Sequence, residues 1–169
     1  MKLIEQSSPL TVVGKGALAG LVGTAVISVG MAKLPQVMQQ LGLMSPPANK
    51  DSGPGPTEEL AERVAEGVLE TSIDSETREV AGQTIHWAYG TFWGMLYGLV
   101  QSSLHLPHHL HGLVLGGLTG AVSSTLLPAM GLTPPPAKQP TPMNAMQLGL
   151  HFLYGWVTAV AFDSISAES

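Results

Sequence analysis

Four uncharged apolar segments divide the chain. They contain no Asp, Glu, Lys or Arg and cover approximately residues 16–32, 85–104, 112–130 and 146–162. A helix needs about 20 residues to cross the hydrocarbon core of a bilayer, and each segment approaches that length. The pattern predicts an all-α fold, an integral membrane four-helix bundle in which residues 1–169 form a single membrane domain.

A polar stretch separates the first two segments. Within it, "TEELAERVAEGVLET" has acidic residues in its first turn, and Leu60, Val64 and Val68 recur every four residues. This pattern predicts an amphipathic helix over about residues 57–71, lying on the membrane surface or against the bundle. Ser75 is a suitable N-cap for a second helix that continues into the second span.

Two motifs occur twice, in the same order. "LGLMSPPANK" at residues 41–50 aligns without a gap with "MGLTPPPAKQ" at 130–139, and His-x-x-Tyr-Gly begins at His86 and again at His151. Each copy would hold two spans and enter the membrane from the same side. The sequence therefore predicts two parallel repeats of two spans, with both histidines at the same depth.

Small residues spaced four apart give every span one face for close helix contact. Such faces pack helices in lipid, where the hydrophobic effect cannot. They comprise Gly16 and Gly20, then Gly90, Gly94 and Gly98, then Gly112, Gly116 and Gly120, and finally Gly155 and Ala159. Because His86 and His151 each lie four residues before such a face, we expect both to point at a neighbouring helix.

The candidate functional residues are His86, Tyr89, His151 and Tyr154. The favoured interpretation of the histidines is a hydrogen bond that fixes helix register. A second is titration in mild acid, since the unperturbed imidazole pKa is about 6.5. A third, ligation of a haem or metal, is least favoured because no second ligand pair accompanies them. We also expect a histidine one turn away to be the partner that a buried Tyr hydroxyl requires.

The histidine-rich segment "HLPHHLH" connects the second and third spans. Pro107 interrupts a helix that would align the rings, and no acidic residue is near in the sequence. We expect a polar turn at the membrane interface, with proton buffering as the alternative.

Composition supports a membrane protein. Charged residues make up 11% of the chain, against about 25% in soluble domains. The absence of cysteine excludes disulfides, Cys-ligated zinc and thiol catalysis. The net charge of −5 gives no indication of nucleic-acid binding. No nucleophile-base-acid set, phosphate loop or paired carboxylate is evident, so we expect no enzyme activity, metal or cofactor.

The basic residues predict a topology. Lys33, Lys50, Arg63, Arg78 and Lys138 lie in the first and third connections, whereas the second connection has none. Basic connections favour the cytoplasm, so we expect both termini outside.

Four stretches, "AERVAEGVL", "REVAGQTIHWAYGTFWGMLYG", "MGLTPPP" and "HFLYGWVTAVAF", resemble the YagU-like family of small bacterial inner-membrane proteins, a domain of unknown function linked by name to acid resistance. The resemblance implies a multi-pass protein of the inner (plasma) membrane with a role in surviving acid. Members of that family often carry acidic residues in the third span. Here that span offers only Ser123, Ser124 and Thr125, so this chain lacks the carboxylate half of a carboxylate-histidine proton relay, which makes transport a less favoured function.

The expected function is acid-stress tolerance through buried titratable histidines, and the expected partner of the protein as a whole is the lipid bilayer. The alternative is a proton or small-solute channel or permease subunit, acting as a homo-oligomer because four short spans enclose little space. A haem-binding membrane bundle is the least favoured alternative.

Overall fold

The computed structural model describes residues 8–45, 53–104 and 107–167, and all regular structure in these ranges is helical. The helices are α1 (Pro9–Gln40), α2 (Pro56–Val68), α3 (Ser75–Leu104), α4 (His108–Ala129) and α5 (Thr141–Ala167), with a 3-10 turn at Pro136–Lys138. Among them, α1, α4 and α5 are long and apolar enough to cross a membrane. The expectation of an all-helical protein with membrane-spanning segments is confirmed to that extent.

Helix α3 differs from these three in composition. It has 30 residues, enough to cross a bilayer, but its glycines and its His, Tyr and Trp side chains make it less apolar. A fourth span therefore stays a prediction. The helices also extend beyond the predicted segments: α1 has 32 residues where the apolar pattern covers 16–32, because the flanking residues, Lys15 and Lys33 among them, continue the helical backbone.

Helices α1 and α4 end in the same way. Gly42 and Gly131 adopt φ values of +69° and +71°, which glycine reaches without strain. After each glycine, the N–H of the next residue donates to the carbonyl five positions earlier, as Leu43 does to Met38 and Leu132 to Leu127. Both ends are thus Schellman motifs, which explains the Gly-Leu pair in both predicted turns. The rest of the first aligned turn, residues 46–50, lies outside the described residues.

The helices associate as two antiparallel pairs. Helix α1 packs along α3, and α4 packs along α5. The pairs join mainly through α1 and α5, while α3 makes few contacts with α4. If a two-fold axis related the repeats, α1 would correspond to α4 and α3 to α5. The contact between α1 and α5 would then have an equally extensive counterpart between α4 and α3. The contacts between the pairs do not follow such an axis, so the repeat stays a prediction.

Both pairs pack through the predicted small residues. A Cβ on Gly20 would lie 2.7 Å from the Gly90 carbonyl oxygen, and one on Gly112 would lie 2.7 Å from that of Gly155. The other members of these faces lie in the same two interfaces: Gly16, Gly94 and Gly98 between α1 and α3, and Gly116, Gly120 and Ala159 between α4 and α5. At seven of these glycines the nearest atom is backbone of the partner helix, an approach that only glycine permits: Gly16, Gly20, Gly94, Gly98, Gly112, Gly116 and Gly155.

The most completely buried side chains are small, and many large apolar side chains lie on the outside. The largest fully buried side chains are Thr24, Thr119 and Thr158. By contrast, Leu10 is 79% exposed and Val29 is 63% exposed. An extensive apolar surface of this kind suits contact with lipid.

Helix α2 packs against α3, one of the two expected placements, through its alanines and not through its apolar stripe. Ala61 and Ala65 are buried, whereas Val64 is 43% exposed and Val68 is 73% exposed. The close approach of Glu58 to Gly82 on α3 explains the change, because small residues let the two helices meet. The predicted stripe of Leu60, Val64 and Val68 is not the buried face of α2, and the helix is shorter than the predicted 57–71.

The N-cap of α3 is also one residue earlier than predicted. Ser75 is the first helical residue, and the Asp74 carboxylate accepts a 2.7 Å hydrogen bond from the Thr77 backbone N–H. A carboxylate at this position also interacts favourably with the helix dipole.

Candidate functional site

His86 on α3 contacts α1, as its position on the packing face predicted. Its Nε2 atom lies 3.2 Å from the Ser28 hydroxyl oxygen. That hydroxyl donates its hydrogen to the Thr24 carbonyl at 2.8 Å, so the oxygen can only accept from the ring. A neutral His86 therefore carries its hydrogen on Nε2 and donates to Ser28.

His151 on α5 makes the corresponding contact with α4. Its Nδ1 atom lies 2.8 Å from the Gln147 carbonyl oxygen, and Nε2 lies 3.3 Å from the Ser123 hydroxyl. A carbonyl only accepts, so the neutral ring carries its hydrogen on Nδ1. Nε2 then accepts from Ser123, the reverse of the direction at His86.

The two histidine sites share one chemical property. Both rings are partly buried, and both direct Nε2 at a serine hydroxyl on the partner helix. A hydroxyl can donate or accept. A protonated ring at either site would donate from Nε2, and His151 needs only a rotation of the Ser123 hydroxyl to do so. Each serine hydroxyl can thus form a hydrogen bond with the neutral imidazole and with the protonated one.

The two tyrosines of the repeated motif have unequal environments. The buried Tyr154 hydroxyl donates to the Gly90 carbonyl at 2.5 Å and so connects α5 to α3. Tyr89 is 37% exposed, and its ring meets Trp93 edge-on with centroids 6.0 Å apart. The expectation that a histidine accepts the buried Tyr hydroxyl is wrong, because the carbonyl at the α1–α3 crossing takes that role.

A second polar cluster lies where α3 ends, α4 begins and α5 ends. His108 Nε2 is 3.1 Å from Asp163 Oδ1, and its Nδ1 is 3.2 Å from Gln101 Nε2. The Gln101 carbonyl oxygen in turn meets His111 Nδ1. Asp163 follows the fourth apolar segment, 55 residues after His108 along the chain.

This cluster corrects the interpretation of the histidine-rich segment as a polar turn without an acidic neighbour. Helix α4 begins at His108, and Pro107 serves as its N-cap instead of preventing alignment of the rings. His111 is buried, its ring centroid 5.1 Å from that of Tyr97. His109 accepts a 3.2 Å hydrogen bond from Trp156 Nε1. His105 lies outside the described residues.

The arrangement does not favour metal or haem ligation. Within residues 8–45, 53–104 and 107–167, no group of three or more His, Cys, Asp or Glu side chains could hold a metal ion. His86 and His151 instead direct Nε2 at serines of different partner helices. The haem alternative thus has no geometric observation in its favour.

Comparison with known proteins gives no assignment, because no protein-family profile, curated protein or solved structure matches the chain.

Proposed function

We propose that this chain is a four-span, non-enzymatic protein of the cell's inner membrane that contributes to acid tolerance by taking up protons on His86 and His151. The observation that carries the proposal is the serine hydroxyl at Nε2 of each ring, 3.2 Å away for His86 and 3.3 Å for His151. Such a partner stabilises an imidazolium as readily as an imidazole. The resemblance to YagU-like proteins agrees with this role.

The contacts of α3 support its assignment as the fourth span. Gly98 approaches Val12, Gly90 approaches Thr24, and His86 approaches Ser28. These contacts run along α1 from Val12 in its first turn to Ser28, and α1 is itself long and apolar enough to span a membrane. A helix packed along that length of α1 occupies the same depth in the bilayer, so α3 crosses it as well.

Proton uptake would change the free energy of helix packing within both pairs. A charged ring in a low-dielectric environment is costly unless hydrogen bonds compensate, and an ionisable group inside a membrane points to function. Protonation in acid therefore puts charge at the α1–α3 and α4–α5 contacts. The two pairs are coupled through α1 and α5, so both sites act on one packed unit.

The test replaces both histidines with glutamine, which keeps a hydrogen-bonding side chain but cannot titrate. We expect the double variant His86→Gln/His151→Gln to lose the survival advantage that the protein gives cells after an acid challenge, with a faster fall in internal pH. His109→Gln is the matched control, because His109 is exposed and outside both sites. Unchanged survival at normal membrane levels would contradict the proposal.

A proton or small-solute channel or permease subunit is the second candidate. The observation in its favour is the polar contact zone between the two pairs. There Thr158 faces Gly23, and Tyr154 reaches Gly90. Proteoliposomes containing a pH-sensitive dye separate the candidates: a channel dissipates an imposed pH gradient, whereas a protein that only binds protons leaves it intact.

A further inference from the structure

The cluster at the beginning of α4 connects the surface to the interior. The side chain of Asp163 is 54% exposed and that of His108 is 44% exposed. Gln101 and His111 are each only 6% exposed. A continuous series of contacts runs from Asp163 through His108 and Gln101 to His111. One surface imidazole is thus joined to one buried imidazole through a single amide.

The hydrogen bonds among these four side chains have one direction when His108 is neutral. The Asp163 carboxylate only accepts, so His108 carries its hydrogen on Nε2 and must accept at Nδ1. Gln101 Nε2 then donates to His108. The other end of the amide, its carbonyl oxygen, accepts from His111 Nδ1. The tautomers and the amide orientation follow from this network.

Protonation of His108 reverses that direction. The added proton on Nδ1 turns His108 into a donor at both nitrogens, so Gln101 must turn its oxygen toward His108 and its NH2 group toward His111. His111 Nδ1 must then accept, so its proton is lost to solvent water and Nε2 takes up one proton from solvent water in exchange. The balance is one proton gained by His108 and none by His111, which stays neutral.

We propose that Asp163, His108, Gln101 and His111 form a proton-binding relay that converts protonation of the exposed His108 into a change of tautomer at the buried His111. The relay lies at the opposite end of the helix pairs from His86 and His151 and does not depend on their function. Because the His111 ring packs against Tyr97 on α3, the change of tautomer reaches the α3–α4 contact.

The titratable and charged groups around the relay come from three helices. Asp163 on α5 faces His108, and Tyr97 on α3 faces His111. His109 on α4 is turned to Trp156 instead. Lys15 is the charged residue at this end of α1, and no ion pair in the described part of the chain joins it to Asp163. Asp163 is thus the charge that fixes the direction of the relay.

Nitrogen-15 NMR of the full chain, with labelled histidine and in lipid nanodiscs, tests the relay. At pH 8 we expect His111 in the Nδ1–H tautomer, the less common form of free histidine. In acid we expect the Nε2–H form of His111 to appear together with the signal of protonated His108. His111 in the Nε2–H form at pH 8 would overturn the proposal.

Two variants and a control keep the test decisive. Gln101→Leu removes the amide, so His111 should no longer follow His108. Asp163→Asn, at an exposed position, should give a mixture of His108 tautomers at pH 8. His109→Gln should leave both transitions unchanged. A His111 transition that persists in Gln101→Leu would contradict the relay, whatever the outcome of the acid-survival test.

Discussion

The Tyr154 hydroxyl donates to the Gly90 carbonyl oxygen at 2.5 Å, joining α5 to the point where α3 crosses α1. The same carbonyl would lie 2.7 Å from a Cβ on Gly20. One backbone oxygen therefore takes part in both the packing within the first helix pair and the polar link to the second. This relationship makes Gly90 and Tyr154 the connection between the pairs.

Loss of this hydroxyl should weaken the association of the pairs. For Tyr154→Phe we expect a loss of about 1 kcal/mol in the free energy of unfolding, since a buried hydrogen bond is removed without a change in ring packing. Thermal unfolding in detergent measures the change. Tyr89→Phe is the matched control, because Tyr89 is 37% exposed. Equal effects of the two variants would contradict this account.

The α1–α3 interface should not tolerate one added methyl group. A Cβ on Gly94 would lie 2.5 Å from the Gly20 Cα, a backbone atom that cannot move aside. We expect Gly94→Ala to cost about 1–3 kcal/mol through overpacking. Gly14 on α1 has no atom within 4 Å of an added Cβ. Gly14→Ala should therefore be neutral or stabilising in the same assay.

The Asp74 cap should make the start of α3 sensitive to acid. Hydrogen bonds from the Thr77 backbone N–H and hydroxyl lower the pKa of Asp74 below its ordinary value of 3.8. A lowered folded pKa contributes stability that is present above pH 4 and is lost as pH falls through the folded value. A lower protection factor of the Thr77 amide, that is, the ratio of its intrinsic to its observed exchange rate at each pH, would reveal this loss below about pH 4.

Asparagine supplies the control for this prediction. Asp74→Asn retains an oxygen that accepts from Thr77 but cannot titrate, and Asn and Asp are comparable N-caps. The variant should show no acid-dependent fraying at Thr77. If the protection factor at Thr77 falls below about pH 4 in this variant as in the native chain, the cap is not the cause.

Arg63 should hold α2 against the end of α4. Its guanidinium donates to the Met130 carbonyl at 2.5 Å and pairs with Glu59 at 2.6 Å. We expect Arg63→Ala to release α2, seen as faster proteolysis between α1 and α3, with only a small loss of global stability because the pair is exposed. Lys138→Ala, at an exposed position in the third connection, should leave the cleavage rate unchanged.

The absence of cysteine allows a direct test of the fourth span. Ser45→Cys follows α1 and Ser103→Cys is near the end of α3. If α3 crosses the membrane with both termini outside, an impermeant maleimide applied to intact cells should label position 103 and leave position 45 unlabelled. If α3 does not cross, both positions lie on one side and react alike.

The sequence allowed the prediction of much of the helical pattern and of the two histidine contacts. A residue four positions before a packing glycine shares its helix face, so His86 and His151 had to point at a neighbouring helix. The identity of the neighbours, Ser28 and Ser123, depends on how far the helices slide along each other, which no local pattern specifies.

The relay at the beginning of α4 was beyond prediction for the same reason. Asp163 and His108 are 55 residues apart in the chain, and only the packing of α5 along α4 brings them within 3.1 Å. Tyr89 and Tyr154 occupy equivalent positions in the repeated motif, yet only Tyr154 is buried. The difference arises because α5 faces α1 as well as α4, whereas the corresponding side of α3 lacks such a neighbour.

The sequence by itself determined the elements whose causes are local: helices built on uncharged apolar segments, small-residue faces four apart, and glycine at both Schellman ends. Only the tertiary structure decided the order in which the helices pack and which polar groups meet. Periodicity fixes the face that a helix presents, but helix register and choice of neighbour depend on the close fit of backbones at Gly20, Gly90 and Gly155.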